Sequence, residues 1–135
     1  MKKLQLIALL VLLFSCSPSA TEEEIPLSET DVRIEFYTTE PNYDEVEFSY
    51  YNNGTDKFSD ETLVFNYDNS GNPLPIIINW EDFGYKYVRG EAYRNNFSSA
   101  ELSIKLFVND DLVYEETKSG NSSAYARVVF DYTIK

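Results

Sequence analysis

Cys16 is the one thiol in this chain, and no histidine accompanies it. Without histidine, Ser-His-Asp hydrolysis, histidine-assisted cysteine catalysis and the usual zinc sites are excluded together. Two carboxylates suffice for glycoside cleavage, but among 23 acids chance pairs are inevitable, and no base of the usual kinds stands beside them. No catalytic residue, metal ligand or cofactor site is therefore expected. Asp68, Asn69, Ser70 and Asn72 around Gly71 have the residue types of a calcium loop. An EF-hand loop needs a bidentate glutamate at its twelfth position, and the twelfth residue from Asp68 is Asn79, so the segment reads as a turn. Asp110 and Asp111 likewise read as turn residues first and as a cation site second. A single cysteine makes no internal disulfide, so the core must hold the fold unaided.

Binding chemistry is carried by aromatics instead. The chain has eleven Tyr, nine Phe and one Trp. Tyr37, Tyr51, Tyr85, Tyr93 and Tyr125 fall at outward positions of expected strands, and tyrosine rings beside carboxylates can stack sugars or anchor a protein partner. The competing reading is that strands favour tyrosine and that loops cover some of these rings.

The N-terminal residues carry a positive start, Met1-Lys2-Lys3, then an apolar run from Leu4 to Phe14 interrupted only by Gln5. That run is too short to span a bilayer and fits the apolar region of a signal peptide. Leu13-Phe14-Ser15-Cys16 resembles a bacterial lipobox, with an aliphatic residue three places before the cleavage point and a small one just before the cysteine. The resemblance implies diacylglyceryl transfer to the Cys16 thiolate, cleavage before it and acylation of the new N-terminus. An ordinary signal peptide with an incidental cysteine is the alternative. The expected organisation is a lipoprotein signal peptide over residues 1–15, the acylated cysteine with a flexible acidic tether over 16–28, and one folded domain over 29–135. The Leu-Leu-Phe-Ser-Cys-Ser run is similar to lipoproteins of the Bacteroidetes, which implies the cell envelope. Ser17, where an aspartate would imply retention at the inner membrane, implies the outer membrane. Glu22, Glu23 and Glu24 resemble a surface-export signal of that group, so the periplasmic and surface sides both stay open.

The net charge of −12 excludes nucleic acid as a partner, because the phosphate backbone would repel the chain. It also excludes adhesion to anionic lipid through a basic patch. The membrane is expected as a partner only through the lipid on Cys16, with a protein of the envelope as the second expected partner.

The elements that must position these residues are strands. Leu102, Ile104, Leu106 and Val108 alternate with Ser103, Lys105 and Phe107, a period of two with one apolar face. Asn109-Asp110 tolerates the positive φ of a tight hairpin turn, and Leu112-Val113-Tyr114 returns. With those two turn residues, Leu106 faces Val113 and Phe107 faces Leu112. The same alternation gives a first strand at Val32–Tyr37, a second at Val46–Tyr51 and a last at Ala126–Ile134. Leu63–Tyr67, Leu74–Trp80 and Tyr85–Arg94 supply the third, fourth and fifth. Ile76-Ile77-Ile78 lacks alternation, which suggests burial on both sides or a strand crossing between sheets. Gly90 suggests a bulge and Trp80 a core plug between sheets. The fold class is all-β: a single antiparallel immunoglobulin-like sandwich of about seven to eight strands.

From Val46 onward the pattern resembles small lipoproteins with an immunoglobulin-like sandwich, including the MmpS-like domains. The residues carrying it are Val46–Thr55 (VEFSYYNNGT), Ile78-Asn79-Trp80, Ile104–Val113 (IKLFVNDDLV) and Ser119-Gly120. Asn79 stands where that family has proline, and Asp110-Asp111 where it has Asp-Gly. The resemblance implies an accessory role beside a membrane complex, an RND-type exporter in the mycobacterial members. Taken together, the sequence points to a non-catalytic, lipid-anchored envelope protein acting as a binding or accessory module. A surface-exposed glycan-binding module is the alternative.

Overall fold

The computed structural model describes residues 30–135. The lipidation site at Cys16, the signal peptide 1–15 and the tether 16–28 lie outside the described residues. Within them, eight strands form: β1 (Val32–Thr38), β2 (Glu45–Asn52), β3 (Lys57–Val64), β4 (Ile76–Trp80), β5 (Tyr87–Arg94), β6 (Glu101–Val108), β7 (Asp111–Ser119) and β8 (Arg127–Thr133). They make two four-stranded antiparallel sheets, ordered β4-β1-β6-β7 and β3-β2-β5-β8. The fold is a β-sandwich. Its neighbour relations match an immunoglobulin-type Greek key for β1 to β5 and β8, with the β6–β7 hairpin filling the place beside β1.

Period-two patterning builds the core. Val32, Ile34 and Phe36 of β1 and Leu102, Ile104 and Leu106 of β6 face Val46 and Phe48 of β2, Ala92 of β5 and Val128 and Phe130 of β8, all buried. Phe36 meets Phe48 across the sheets edge to face at 5.2 Å. Fully burying a side chain of this size contributes about 1.5–3 kcal/mol. Along one side, β7 closes the exposed backbone of β8: the Tyr114 hydroxyl donates to the Val129 carbonyl (2.9 Å), and Glu116 accepts the Val129 N–H (3.3 Å). An edge satisfied this way is less available for pairing with another chain.

The central hairpin has the expected turn. Asn109 and Asp110 both have positive φ, 49° and 67°, as a two-residue type I′ turn requires. Phe107 faces Leu112, as the alternation implied, but Leu106 faces Tyr114 rather than Val113. A bulge leaves Val113 as the extra residue, and a one-residue insertion is invisible to a period-two count.

Other expectations are corrected. The third strand is Lys57–Val64, not Leu63–Tyr67, because β3 zips onto β2 straight from the 53–56 turn and none of its residues is buried. Phe65 instead enters the core just past its end. The fourth strand begins at Ile76 and the fifth at Tyr87. The isoleucine run is not buried on both sides: β4 is an edge strand, and Ile77 is 52% exposed. Gly90 is no bulge, since it sits in regular pairing between Tyr50 and Phe130. A Cβ there would lie 2.6 Å from the Ser49 carbonyl oxygen and 2.7 Å from the Phe130 ring, so glycine makes room for that ring. Trp80 is half-buried and packs against the core between the sheets at the entry end, tilted on Tyr50 of β2 at 5.2 Å and stacked on Phe83 at 5.5 Å.

The strand directions define two poles. Residue 30, the 53–56, 81–86 and 109–110 connections and the C-terminal residue lie at one, the entry pole. The 39–44, 65–75, 95–100 and 120–126 connections lie at the other, the distal pole. Strands of this length separate the poles by roughly 25 Å.

Candidate functional site

The distal pole is organised around a buried guanidinium. Val88, Gly90, Ala92 and Arg94 all point inward from β5, and Arg94 is 0% exposed. Its Nε donates to Asp44 Oδ2 at 2.6 Å, and Nη2 reaches Glu40 at 3.1 Å and the Asn96 side-chain oxygen at 2.8 Å. Nη1 donates to the Ser98 hydroxyl at 3.0 Å and the Ala100 carbonyl at 2.9 Å. Asp44, also buried, accepts further bonds from the Thr38 hydroxyl (2.9 Å) and the Asn96 amide (2.7 Å). Among the described residues no buried side-chain nitrogen or oxygen lacks a partner. Such full satisfaction is what a buried ion pair needs to be tolerated.

This network fixes the 95–100 loop. Alternate residues Asn96, Ser98 and Ala100 turn inward to Arg94, so Phe97 is turned out. Gly120 lets the 120–126 loop approach, since a Cβ there would stand 2.5 Å from the Ser98 carbonyl oxygen. The two loops bring Phe97 flat against Tyr125, ring centres 4.4 Å apart and planes 10° apart. Tyr93 lies on Tyr125 at 5.3 Å. Phe97 is 55% and Tyr125 40% exposed. Tyr43, 67% exposed in the 39–44 connection of the same pole, donates its hydroxyl to Glu45 at 2.5 Å. On the same outer face, the Asn95 amide makes long bonds to Glu45 (3.3 Å) and Glu47 (3.4 Å), and Glu47 is the cross-strand neighbour of Tyr93.

Of the five tyrosines singled out by sequence, the fold brings together only Tyr93 and Tyr125. Tyr51 and Tyr85 lie at the entry pole, Tyr51 edge-on to Phe58 at 5.5 Å and Tyr85 on Phe83 at 5.6 Å. Tyr37 lies on the outer face of the other sheet, under Lys105 Nζ at 5.2 Å. Phe97, Tyr43, Asp44 and Arg94 were missed. The signal for Arg94 was its inward parity with Val88 and Ala92.

Tyr37 donates to Glu35 Oε2 at 2.5 Å, and this bond to a carboxylate, with partial burial, pushes its phenol up to about 12 from 10.0. The neutral phenol is thus favoured by folding. Its contribution is fully present below pH 10 and is lost as pH rises toward 12. Spectroscopic titration of the tyrosines should show a late ionising step that Tyr37→Phe removes, with a flatter fall of stability over the same interval.

Asp68 forms a turn, accepting the backbone N–H groups of Ser70 (2.8 Å) and Asn72 (2.9 Å) and the Asn72 amide (3.0 Å), with Gly71 at φ 80°. These bonds hold its carboxyl below the ordinary range, the Asn72 amide foremost. Among the described residues no three of His, Cys, Asp and Glu are grouped to hold a metal. A recess of about 200 Å³ lies at the entry pole between Asp31, Arg33, Trp80, Glu81 and Asp110. It is smaller than the roughly 300–1,000 Å³ of small-molecule sites. No protein-family model matches this chain, and no curated protein matches it.

Proposed function

We propose that this chain is a non-catalytic, lipid-anchored protein of the outer membrane that binds its partner with the pole opposite its anchor. One observation carries the reading. The first described residue, Thr30, lies at the entry pole, while the exposed rings of Tyr43, Phe97 and Tyr125 are held at the other. Rings on a rigid scaffold lose little freedom when a partner covers them. An accessory role beside a membrane complex, implied by the resemblance to MmpS-like domains, is one form of this reading.

The test is photo-crosslinking in intact cells, with a photoreactive residue at Phe97 or Tyr43 and, as control, at Leu112, which is exposed at the entry pole. A defined adduct from the distal positions and none from Leu112 is expected. Adducts from Leu112 alone, or no adduct to protein or glycan from any position, would refute the reading. Protease treatment of the same cells reports whether the domain faces the periplasm or the outside.

A further inference from the structure

We infer that the stack of Phe97, Tyr125 and Tyr93 is a binding site for a neutral, hydroxyl-rich glycan, an inference that rests on the binding reading above. None of the three rings belongs to the hydrophobic core. Phe97 is nevertheless held in place, because Arg94 bonds Asn96, Ser98 and Ala100 on either side of it, and Tyr125 stacks on Phe97 with Tyr93 lying in turn on Tyr125. A buried guanidinium making six hydrogen bonds, three of them to the residues flanking an exposed phenyl ring, keeps that ring in place for something outside the protein.

The polar groups beside the rings suit hydroxyls. Glu47 adjoins Tyr93 across the strands, and Asn95 bridges Glu45 and Glu47 with bonds of 3.3 and 3.4 Å, at or beyond the ordinary range. Both carboxylates keep acceptor capacity, and Asn95 can turn its amide to a better partner. A pyranose ring offers an apolar C–H face to stack and hydroxyls at its rim to donate, and this surface offers the complement of each.

Charge selects a neutral chain. Glu45, Glu47 and Glu91 surround the rings, and Arg127, the cross-strand neighbour of Tyr93, is paired with Glu91. Among the described residues no cation lies within ion-pair distance of Glu45 or Glu47. An anionic polymer meets repulsion here and no free cation. The surface is also open, with the 200 Å³ recess at the far pole, which fits the side of a polymer rather than a small molecule enclosed on most of its surface.

The test is affinity electrophoresis of the full-length protein in detergent. Native gels contain mannan, dextran or a soluble β-glucan, with alginate as the anionic control. At least one neutral polymer should retard the protein and alginate should not. Phe97→Ala and Tyr125→Ala should weaken retardation at least tenfold, while Leu112→Ala does not. Thermal melting of each variant checks that it is folded. No retardation in any neutral gel, equal retardation of the alanine variants, or retardation by alginate alone would overturn the inference. So would a concentration-dependent dimer abolished by Phe97→Ala. A protein adduct from Phe97 without glycan binding would sink the glycan and leave the binding pole standing; neither result would sink both.

Discussion

Asp44→Ala is expected to lower the unfolding free energy by about 3–5 kcal/mol, the cost of leaving a buried charge without its partner. Arg94 and Asp44 are both 0% exposed at the side chain and meet at 2.6 Å. Removing the carboxylate leaves the guanidinium inside with Glu40 as its one charged neighbour in ion-pair range, 16% exposed at the side chain and bonded only to Nη2. Domains of this size have roughly 5–15 kcal/mol in hand, so the variant should lose a large share of its stability. Urea denaturation should show a lower midpoint with an unchanged slope. Arg94→Lys should also be damaging, since an ammonium cannot reach Asp44, Ser98 and Ala100 from one planar fork. The double variant Arg94→Met, Asp44→Leu separates the two sources of loss. It removes both charges together, so it should recover much of the stability while leaving the 95–100 loop without its clamp. A loss below about 1 kcal/mol for Asp44→Ala would place the pair with exposed surface ion pairs and refute the account.

That same double variant bears on the distal rings. Stability restored by apolar replacement does not restore the bonds to Asn96, Ser98 and Ala100, so Phe97 should lose its fixed place on Tyr125. Folding and ring order are thereby separable, and the network then holds the loop as well as the core.

How much of this was legible in the chain follows from which signals are local. β1, β2, β6 and β8 show their apolar faces within a few residues, and Asn109-Asp110 shows its turn through two residues that tolerate positive φ. β3 carries no buried residue, so no periodicity marks it; its register is dictated by β2 through the 53–56 turn. The extra residue Val113 shifted the hairpin pairing by one, and Ile77 is exposed only because β4 falls at an edge. Both depend on the order of strands in space. The tyrosines were found as outward residues, but which of them meet depends on two loops packing across Gly120. Arg94 broke an inward apolar parity, and that single violation of pattern marks the place where the distal pole is held together.

If Cys16 carries the proposed lipid, Cys16→Ser should change the protein most of all, because it removes that attachment to the membrane rather than weakening it. A serine hydroxyl is not the thiolate that takes the diacylglyceryl group, and without that group the cleavage before residue 16 should not follow. Intact mass measurement should therefore find the wild-type chain beginning at Cys16 and carrying acyl chains, and the variant retaining residues 1–15 with none. A wild-type chain of unmodified mass, or one with a free thiol, would refute the anchor and with it the reading of the two poles. Acyl number matters to the argument. One chain of myristoyl size binds a bilayer only marginally, on the order of 10⁴ M⁻¹, whereas two or more hold a protein stably. The fourteen peptide steps from Cys16 to Thr30 span at most about 50 Å, so a stably held anchor confines the entry pole to a layer of that depth.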